Sequence, residues 1–298
     1  MTPGPVAADS EPTLRFGDRL ARAFTDWGQL CVGIDPHTWL LSDWGLPDSA
    51  EGAESFGRTV VAAAAGQAGI VKPQIAFFER FGSAGYVALE RVLADARAAG
   101  LLVIADVKRG DLGTSVEAYA DAWLTPGSSL EVDAITVNPF MGVGSLDLSF
   151  EVATRHGKGL FLLAATSNPE AAVIQQAVVA HGEYAGRSVA RAVLDDVAER
   201  NARSTTDALG SFGVVLGATL DLALFGIDTS AAPAQGLPPV LAPGFGHQGG
   251  DIMDLISIYG EYAGGVIVSE SRSVLSAGPV RLAEAIERRV TEVGAVRG

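Results

Sequence analysis

Short apolar runs recur along the chain, and each gives way to polar or glycine-rich residues. Within these runs Val, Ile and Leu follow one another without polar residues between them, which is typical of parallel strands buried on both faces. The pattern predicts eight strands, at residues 30–34, 69–72, 101–105, 134–137, 160–165, 213–218, 239–242 and 265–268.

Helical patterns separate these strands. Residues 83–99 carry apolar positions at helical spacing among charged ones, and Gly100 follows as a cap. Residues 181–200 and 278–293 show the same periodicity. Eight strands, each followed by a segment able to form a helix, predict an α/β protein with the (β/α)8 TIM-barrel fold. An open doubly wound sheet is the alternative, but no Gly-x-Gly-x-x-Gly follows the first strand.

The length is compatible with a single barrel domain over residues 1–298, with the barrel core at about 28–290. Residues 1–27 are then an N-terminal extension, 42–54 an inserted loop after the first strand, and 228–239 an Ala/Pro-rich connector. None of these segments is long enough to predict a second domain.

Composition narrows the class of protein. Hydrophobic residues make up 48% of the chain, so a large core can form, and the net charge of −14 argues against nucleic-acid binding. The negative net charge is still compatible with a small anionic ligand that is bound by a local cluster of Lys, Arg and backbone N–H groups. The single Cys31 is expected to be a buried structural thiol. The N-terminus does not have the pattern of a secretory signal and no apolar run is long enough for a membrane span, so a cytoplasmic location is expected.

Polar side chains follow the predicted strands at one end, where barrel enzymes build their sites. They are Asp35 after strand one, Lys72 after strand two, Asp106, Lys108 and Asp111 after strand three, Asn138 after strand four, and Thr166, Ser167 and Asn168 after strand five. Their convergence on one rim favours an active site over a set of surface residues.

The segments after strands seven and eight predict a phosphate site. Residues 243–251 are rich in glycine, so that backbone N–H groups could approach an anion, and a helix is expected to begin near Asp251. Arg272 could add a two-pronged contact. Gln248 could reach phosphate or base, whereas His247 is expected to be a neighbour rather than a catalyst.

The stretch DVKRGD at 106–111 carries the candidate chemistry. In an extended strand Asp106 and Lys108 point to the same side, and flanking carboxylates favour the charged ammonium. That suits a proton donor and opposes a Schiff-base nucleophile. A carboxylate beside an anionic group of a substrate would also store repulsion that is released when that group leaves. Decarboxylation with proton replacement at carbon would use both features.

With these residues in place, the chain resembles the orotidine 5′-phosphate decarboxylase family, in particular its longer branch typical of mycobacteria and related actinobacteria. The stretches that carry the resemblance are VGIDP (32–36), VKPQIAFFE (71–79), DVKRGDLG (106–113), VNPF (137–140), TSNP (166–169), PGFGHQGGD (243–251) and SRSVL (271–275). Together they extend over nearly the whole chain.

The resemblance implies a role for each matching residue. Lys108 would protonate C6 of the pyrimidine beside Asp106, Lys72 would bridge Asp106 and the ribose, and Asp35 would hold the ribose hydroxyls. Asp111 would come from the other subunit of an obligate homodimer, together with a side-chain hydroxyl. The family often has threonine at the position of Ser115, so this hydroxyl would belong to Ser115 or to the preceding Thr114. The remaining implied substrate contacts are Asn138, Thr166, Ser167, Gln248, Gly249, Gly250 and Arg272. No metal and no cofactor is implied, and the partners are orotidine 5′-monophosphate and UMP, with neither nucleic acid nor membrane. His37, close to Asp35, is expected not to touch the substrate.

Three rival functions remain at this point. A related sugar-phosphate lyase would use Mg²⁺ and usually wants an acid after strand two, where this chain has Lys72. A class I aldolase would form a Schiff base on Lys108 or Lys72. A catalytically silent nucleotide-binding protein is the third, although simple binding of a polyanion gains nothing from nearby carboxylates.

Overall fold

The computed structural model describes residues 14–205 and 207–296. Eight parallel strands form a closed barrel in which each strand pairs with the next along the chain and the eighth pairs with the first. The predicted TIM-barrel fold is confirmed. The strands are β1 Leu30–Ile34, β2 Ile70–Pro73, β3 Leu102–Arg109, β4 Ala134–Val137, β5 Gly159–Ala165, β6 Phe212–Leu216, β7 Val240–Pro243 and β8 Val266–Glu270.

Twelve helices are found within the described residues, most of them on the outside of the barrel. They are α1 Phe16–Trp27, α2 Thr38–Asp43, α3 Ala50–Ala64, α4 Ala76–Glu79, α5 Gly82–Ala98, α6 Gly113–Leu124, α7 Asp147–Arg155, α8 Ala172–Gln175, α9 Val189–Ser204, α10 Leu255–Tyr259, α11 Arg272–Leu275 and α12 Leu282–Ala295. None of these helices is both long enough and apolar enough to cross a membrane.

The barrel interior follows the two-residue period of the strands. Every strand contributes to a single inner apolar cluster, whose strand members include Cys31, Ile70, Ile104, Ala134, Phe161, Val215, Leu241 and Ile267. Two residues further along three of these strands come Lys72, Asp106 and Thr136, all of them buried. The alternation of side chains therefore turns these polar groups into the barrel, one layer above its apolar interior.

Helix α1 closes the end of the barrel opposite to these polar groups. Phe16 and Leu20 are fully buried in the inner cluster, and the ring of Phe16 meets Phe161 edge to face at 5.9 Å. Gly159 leaves room for this contact, because a Cβ there would lie 2.5 Å from the Phe16 ring. The helical part of the predicted N-terminal extension is thus an integral part of the core.

The segment 42–54, predicted to be an inserted loop, is largely helical. Residues 42–43 end α2 and residues 50–54 begin α3, which leaves only a short turn between them. Ser49 caps α3 by accepting the N–H of Gly52 at 3.3 Å, and the apolar side of α3 is buried against the barrel. The cap and the helical spacing of the buried residues favour a helix here over the predicted loop.

Three helix boundaries also differ from the prediction, and the helix predicted at 278–293 is α12 Leu282–Ala295. Residues 181–188 are turns in which Gly182 and Gly186 have positive φ, and α9 starts only after its capping residue Ser188. The helix expected from Asp251 is preceded by a 3-10 turn and reduced to the five residues of α10. Asp251 accepts the N–H of Met253 at 3.0 Å, so that the carboxylate itself occupies the start of the turn.

Candidate active site

A cavity of about 290 Å³ opens at the C-terminal end of the barrel strands. Many of the polar residues predicted from the strand ends line it: Asp35, Lys72, Asp106, Lys108, Thr166, Ser167, Gln248 and Arg272. Parallel strands end at the same rim, which is why residues more than 200 positions apart in the chain meet here.

Asp106 lies at the centre of a three-membered charge array. Its Oδ2 accepts a hydrogen bond from Lys72 Nζ at 3.0 Å, and its Oδ1 accepts one from Lys108 Nζ at 2.5 Å. Lys72 and Asp106 are buried, whereas the Lys108 side chain is 47% exposed toward the cavity side of the array. All three residues line the cavity, and the ammonium group of Lys108 is the most exposed member of the array.

The two buried members of the array are held in their charged forms. Burial alone would raise the pKa of Asp106, but the ammonium groups of Lys72 and Lys108 outweigh it and hold that pKa below the usual carboxyl range. Burial would likewise lower the pKa of Lys72, and the carboxylates of Asp106 and Asp35 raise it above its ordinary value instead. Opposite charges thus keep both buried groups ionised.

Thr136 is a member of the site that the sequence interpretation missed. Its hydroxyl donates to Asp106 Oδ1 at 2.9 Å and accepts the main-chain N–H of Lys108 at 2.9 Å. The sequence feature that could have predicted this role is Thr136 itself, the one polar residue in the apolar strand AITV (134–137).

The main chain of Lys108 adopts the left-handed conformation, with φ of 47°, which is unusual for a residue with a side chain. The register between β3 and β4 shifts over the same stretch, between Ala105 and Arg109. The side chains of Asp106 and Lys108 do approach each other as predicted. They do so through this bulge, however, and not through the two-residue period of a regular strand.

Asp35, the residue after β1, lines the cavity. Its Oδ1 is buried and has no hydrogen-bond partner within the described part of the chain. An unpartnered buried carboxylate oxygen beside a cavity is an acceptor available to a ligand hydroxyl. His37 packs against Phe77, with ring centroids 4.2 Å apart, and burial lowers its pKa although Asp35 opposes this effect.

The glycine-rich segment forms a tight turn at the other side of the cavity. Gly249 and Gly250 donate their N–H groups to the carbonyls of Gly246 and Gly244, and neither residue lines the cavity. His247 and Gln248 do line it, together with Arg272. No carboxylate within residues 14–205 and 207–296 forms an ion pair with the Arg272 guanidinium.

The end of β5 is held by a residue that the sequence interpretation did not single out. Gln175 Oε1 accepts the N–H of Thr166 at 2.8 Å, while its Nε2 donates to the Thr166 hydroxyl at 3.0 Å. Ser167, the next residue, lines the cavity. The side chain of Gln175 therefore secures the main chain just before Ser167.

Besides Gly249 and Gly250, four predicted residues lie outside the cavity lining. Asp111, Thr114 and Ser115 follow β3, and Asn138 follows β4. Asp111 Oδ1 accepts the N–H of Leu112, and Asn138 Oδ1 accepts that of Phe140. In the single chain, then, these residues are not brought to the Lys72–Asp106–Lys108 array.

Comparisons with known proteins agree with this geometry. Residues 28–286 match the model of the orotidine 5′-phosphate decarboxylase / HUMPS family. Orotidine 5′-phosphate decarboxylase from Nocardioides sp. is 53% identical over 265 residues, which cover 87% of this chain and 91% of the relative. That of Salinispora arenicola is 48% identical over 264 residues, covering 89% and 91%.

Solved structures give the same result. A crystal structure from Streptomyces avermitilis, described as a candidate orotidine 5′-phosphate decarboxylase, superposes with a TM-score of 0.87 at 44% identity and covers 98% of this chain and 99% of that one. OMP decarboxylase from Leishmania donovani superposes with a TM-score of 0.74 at 27% identity, over 95% and 99% of the two chains. The fold, the site and the extent of the match together show that this chain belongs to the orotidine 5′-phosphate decarboxylase / HUMPS family.

Proposed function

We propose that this protein decarboxylates orotidine 5′-monophosphate to UMP and CO2, the last step of de novo pyrimidine nucleotide synthesis. The observation that carries the proposal is the Lys72–Asp106–Lys108 array, in which a buried carboxylate is held ionised between two ammonium groups at the edge of a cavity. The identity to enzymes named for this reaction supports the same substrate.

The array accounts for both halves of the reaction. A substrate carboxylate placed beside Asp106 meets a negative charge that stays ionised, and this repulsion is relieved as the C–C bond breaks and CO2 leaves. The electron pair of that bond remains at C6 of the pyrimidine. Lys108 Nζ, which donates to Asp106 at 2.5 Å, donates its proton to C6 and recovers one from water afterwards. The step consumes one proton and needs no redox partner.

The rest of the cavity suits the rest of the nucleotide. The unpartnered Oδ1 of Asp35 and the ammonium of Lys72 are suited to the ribose hydroxyls. Ser167 and Gln248 are suited to the polar edge of the base, with Thr166 as a further contact, and Arg272 to the phosphate. Gly249 and Gly250 then act by shaping the turn, because their N–H groups are occupied within it.

The rival with a Schiff-base lysine is less well supported by the same contacts. A nucleophilic amine must be neutral, and the pKa of Lys72 is raised by Asp106 and Asp35. Lys108 is likewise in hydrogen-bond contact with Asp106. A magnesium-dependent lyase would need an acid where β2 carries Lys72.

We further propose that the active form is a homodimer in which Asp111 serves the partner's site. Asp111 lies away from the cavity of its own chain, next to Leu112, which is 60% exposed. Phe140 and Met141, after β4, are 71% and 44% exposed, so the segments that follow both strands expose large apolar side chains that a partner subunit could cover.

A cytoplasmic location, expected from the sequence, remains a prediction.

The deciding experiment follows the absorbance of orotidine 5′-monophosphate in the presence of purified protein and EDTA. Decarboxylation that continues in EDTA, with one UMP formed per CO2 released, is the expected outcome. A folded protein that leaves the substrate unchanged would refute the proposed reaction, and turnover that requires added Mg²⁺ would favour the lyase.

A further inference from the structure

A buried carboxylate lies directly beneath the predicted phosphate site without taking part in the charge array. Glu270 is the last residue of β8, two positions before Arg272, and its side chain is fully buried. It lines the substrate cavity and also a smaller cavity behind the glycine-rich turn. A buried carboxylate next to an anion site would repel the anion unless another group compensates it.

Arg289 supplies that compensation from α12. Its Nε donates to Glu270 Oε1 at 2.7 Å, and its Nη2 donates to the same oxygen. Its Nη1 is held by Glu292 at 2.7 Å, which fixes the orientation of the guanidinium plane. The ion pair therefore connects the end of β8 to the C-terminal helix.

The second oxygen of Glu270 joins the two segments that carry the predicted phosphate ligands. Oε2 accepts the hydroxyl of Ser273 at 2.6 Å, and Ser273 directly follows Arg272. The same oxygen lies beneath Gly246, where an added Cβ would be only 3.1 Å from it and 2.9 Å from the Ser273 Cβ. Gly246, with φ of 70°, begins the 3-10 turn that contains Gln248.

We infer that the Glu270–Arg289 pair, acting through Ser273 and Gly246, positions Arg272 and the turn 246–248 to bind the substrate's phosphate. The inference rests on the proposed function, since it assigns the phosphate of the nucleotide to this end of the cavity. Glu270, Arg289 and Ser273 are positioning residues in this assignment: Glu270 and Ser273 line the cavity, but Arg272 and the turn make the contacts to the phosphate. Arg289 has the additional effect of cancelling the negative charge of Glu270 beneath the phosphate.

The test compares UMP with uridine, which differ only in the phosphate. In Arg289→Gln we expect the Kd of UMP to rise by about 10- to 100-fold, by analogy with the loss of affinity when a residue supporting a metal ligand is removed, while the Kd of uridine changes by less than about twofold. The matched control is Arg288→Gln, because Arg288 is the neighbouring, 70% exposed arginine of the same helix. It should bind both ligands as the wild type does.

Two milder variants guard against a folding defect in Arg289→Gln, which leaves a buried carboxylate unpaired. Glu270→Gln retains the shape of the side chain, and Ser273→Ala removes only the hydrogen bond to Oε2. Each should weaken UMP several-fold more than uridine. Equal losses for the two ligands, or unchanged UMP binding in both milder variants, would overturn the inference.

The wild type separates this inference from the proposed function. A wild-type protein that turns over orotidine 5′-monophosphate and binds UMP more tightly than uridine supports the function, and the variants then decide the inference alone. A wild-type protein that neither reacts nor distinguishes UMP from uridine would remove both.

Discussion

The main-chain N–H of Lys108 donates a hydrogen bond to the hydroxyl of Thr136 at 2.9 Å, across the junction between β3 and β4. Lys108 has positive φ at this point, a conformation that costs a residue with a side chain about 1–2 kcal/mol. Two contacts maintain it, one from the N–H to Thr136 and one from Nζ to Asp106. The ammonium group of Lys108, the proposed proton donor, is therefore positioned by the bulge and by Thr136 together.

Replacing Thr136 tests this relationship. In Thr136→Val, which has nearly the same shape, the N–H of Lys108 and Oδ1 of Asp106 each lose a hydrogen bond. We expect kcat to fall by about 10-fold, because one lost hydrogen bond to a charged group changes a free energy by roughly 1.5–3 kcal/mol and part of this falls on the transition state. Thr136→Ser, which restores the hydroxyl, should recover most of kcat. A valine variant with unchanged kcat would contradict the positioning role.

Lys108→Ala tests the proton donor itself. Removal of a general acid should lower kcat by at least about 100-fold. Binding of UMP should remain measurable by calorimetry, since Asp35, Gln248 and Arg272 still line the cavity. Normal turnover in this variant would show that another group protonates the carbon.

The ionisation of Asp106 predicts a pH dependence of stability. Although burial alone would raise its pKa, Lys72 and Lys108 lower it below the usual carboxyl range. Such a group contributes stability that is complete above its unfolded pKa of about 4 and is lost as the pH falls toward the folded value. The free energy of unfolding should therefore decrease more steeply from about pH 5 to about pH 2 in the wild type than in Asp106→Asn. Urea denaturation at constant ionic strength measures this, and parallel curves would contradict the assignment.

Complementation between two inactive variants tests the shared site of the dimer. Lys108→Ala and Asp111→Ala should each be nearly inactive alone. After joint unfolding and refolding, random pairing of the protomers should restore about a quarter of the wild-type activity, because half of the dimers then hold one site with both residues intact. No recovery, in a preparation that sedimentation shows to be dimeric, would place Asp111 at the site of its own chain.

Gln175→Ala tests the clamp at the end of β5. Without the two hydrogen bonds to Thr166, Ser167 loses its fixed position beside the cavity. We expect KM for orotidine 5′-monophosphate to rise by about 5- to 10-fold, consistent with one or two hydrogen bonds of about 1 kcal/mol each. The neighbouring Gln176→Ala is the control and should behave as the wild type. Equal effects of the two substitutions would argue against the clamp.

By itself the sequence determined the barrel and much of its site. Continuous apolar runs, each shorter than a helix, predicted eight buried parallel strands, and β1 and β4 have the predicted bounds. Since parallel strands end at one rim, the residues after them predicted that Asp35, Lys72, Asp106, Lys108 and Arg272 would meet, and all five line one cavity.

The tertiary structure alone decided the contacts that join residues distant in the chain. Thr136 binds Lys108 from the next strand, Gln175 reaches back to Thr166 across a turn, and Arg289 neutralises Glu270 from the last helix. Helix α1 closes the barrel because the ring of Phe16 packs against Gly159, which has no side chain to block it. No local sequence pattern predicts this contact. Periodicity along the chain reports which side of a strand or helix is buried, whereas the partner of a polar group depends on the packing of the whole barrel.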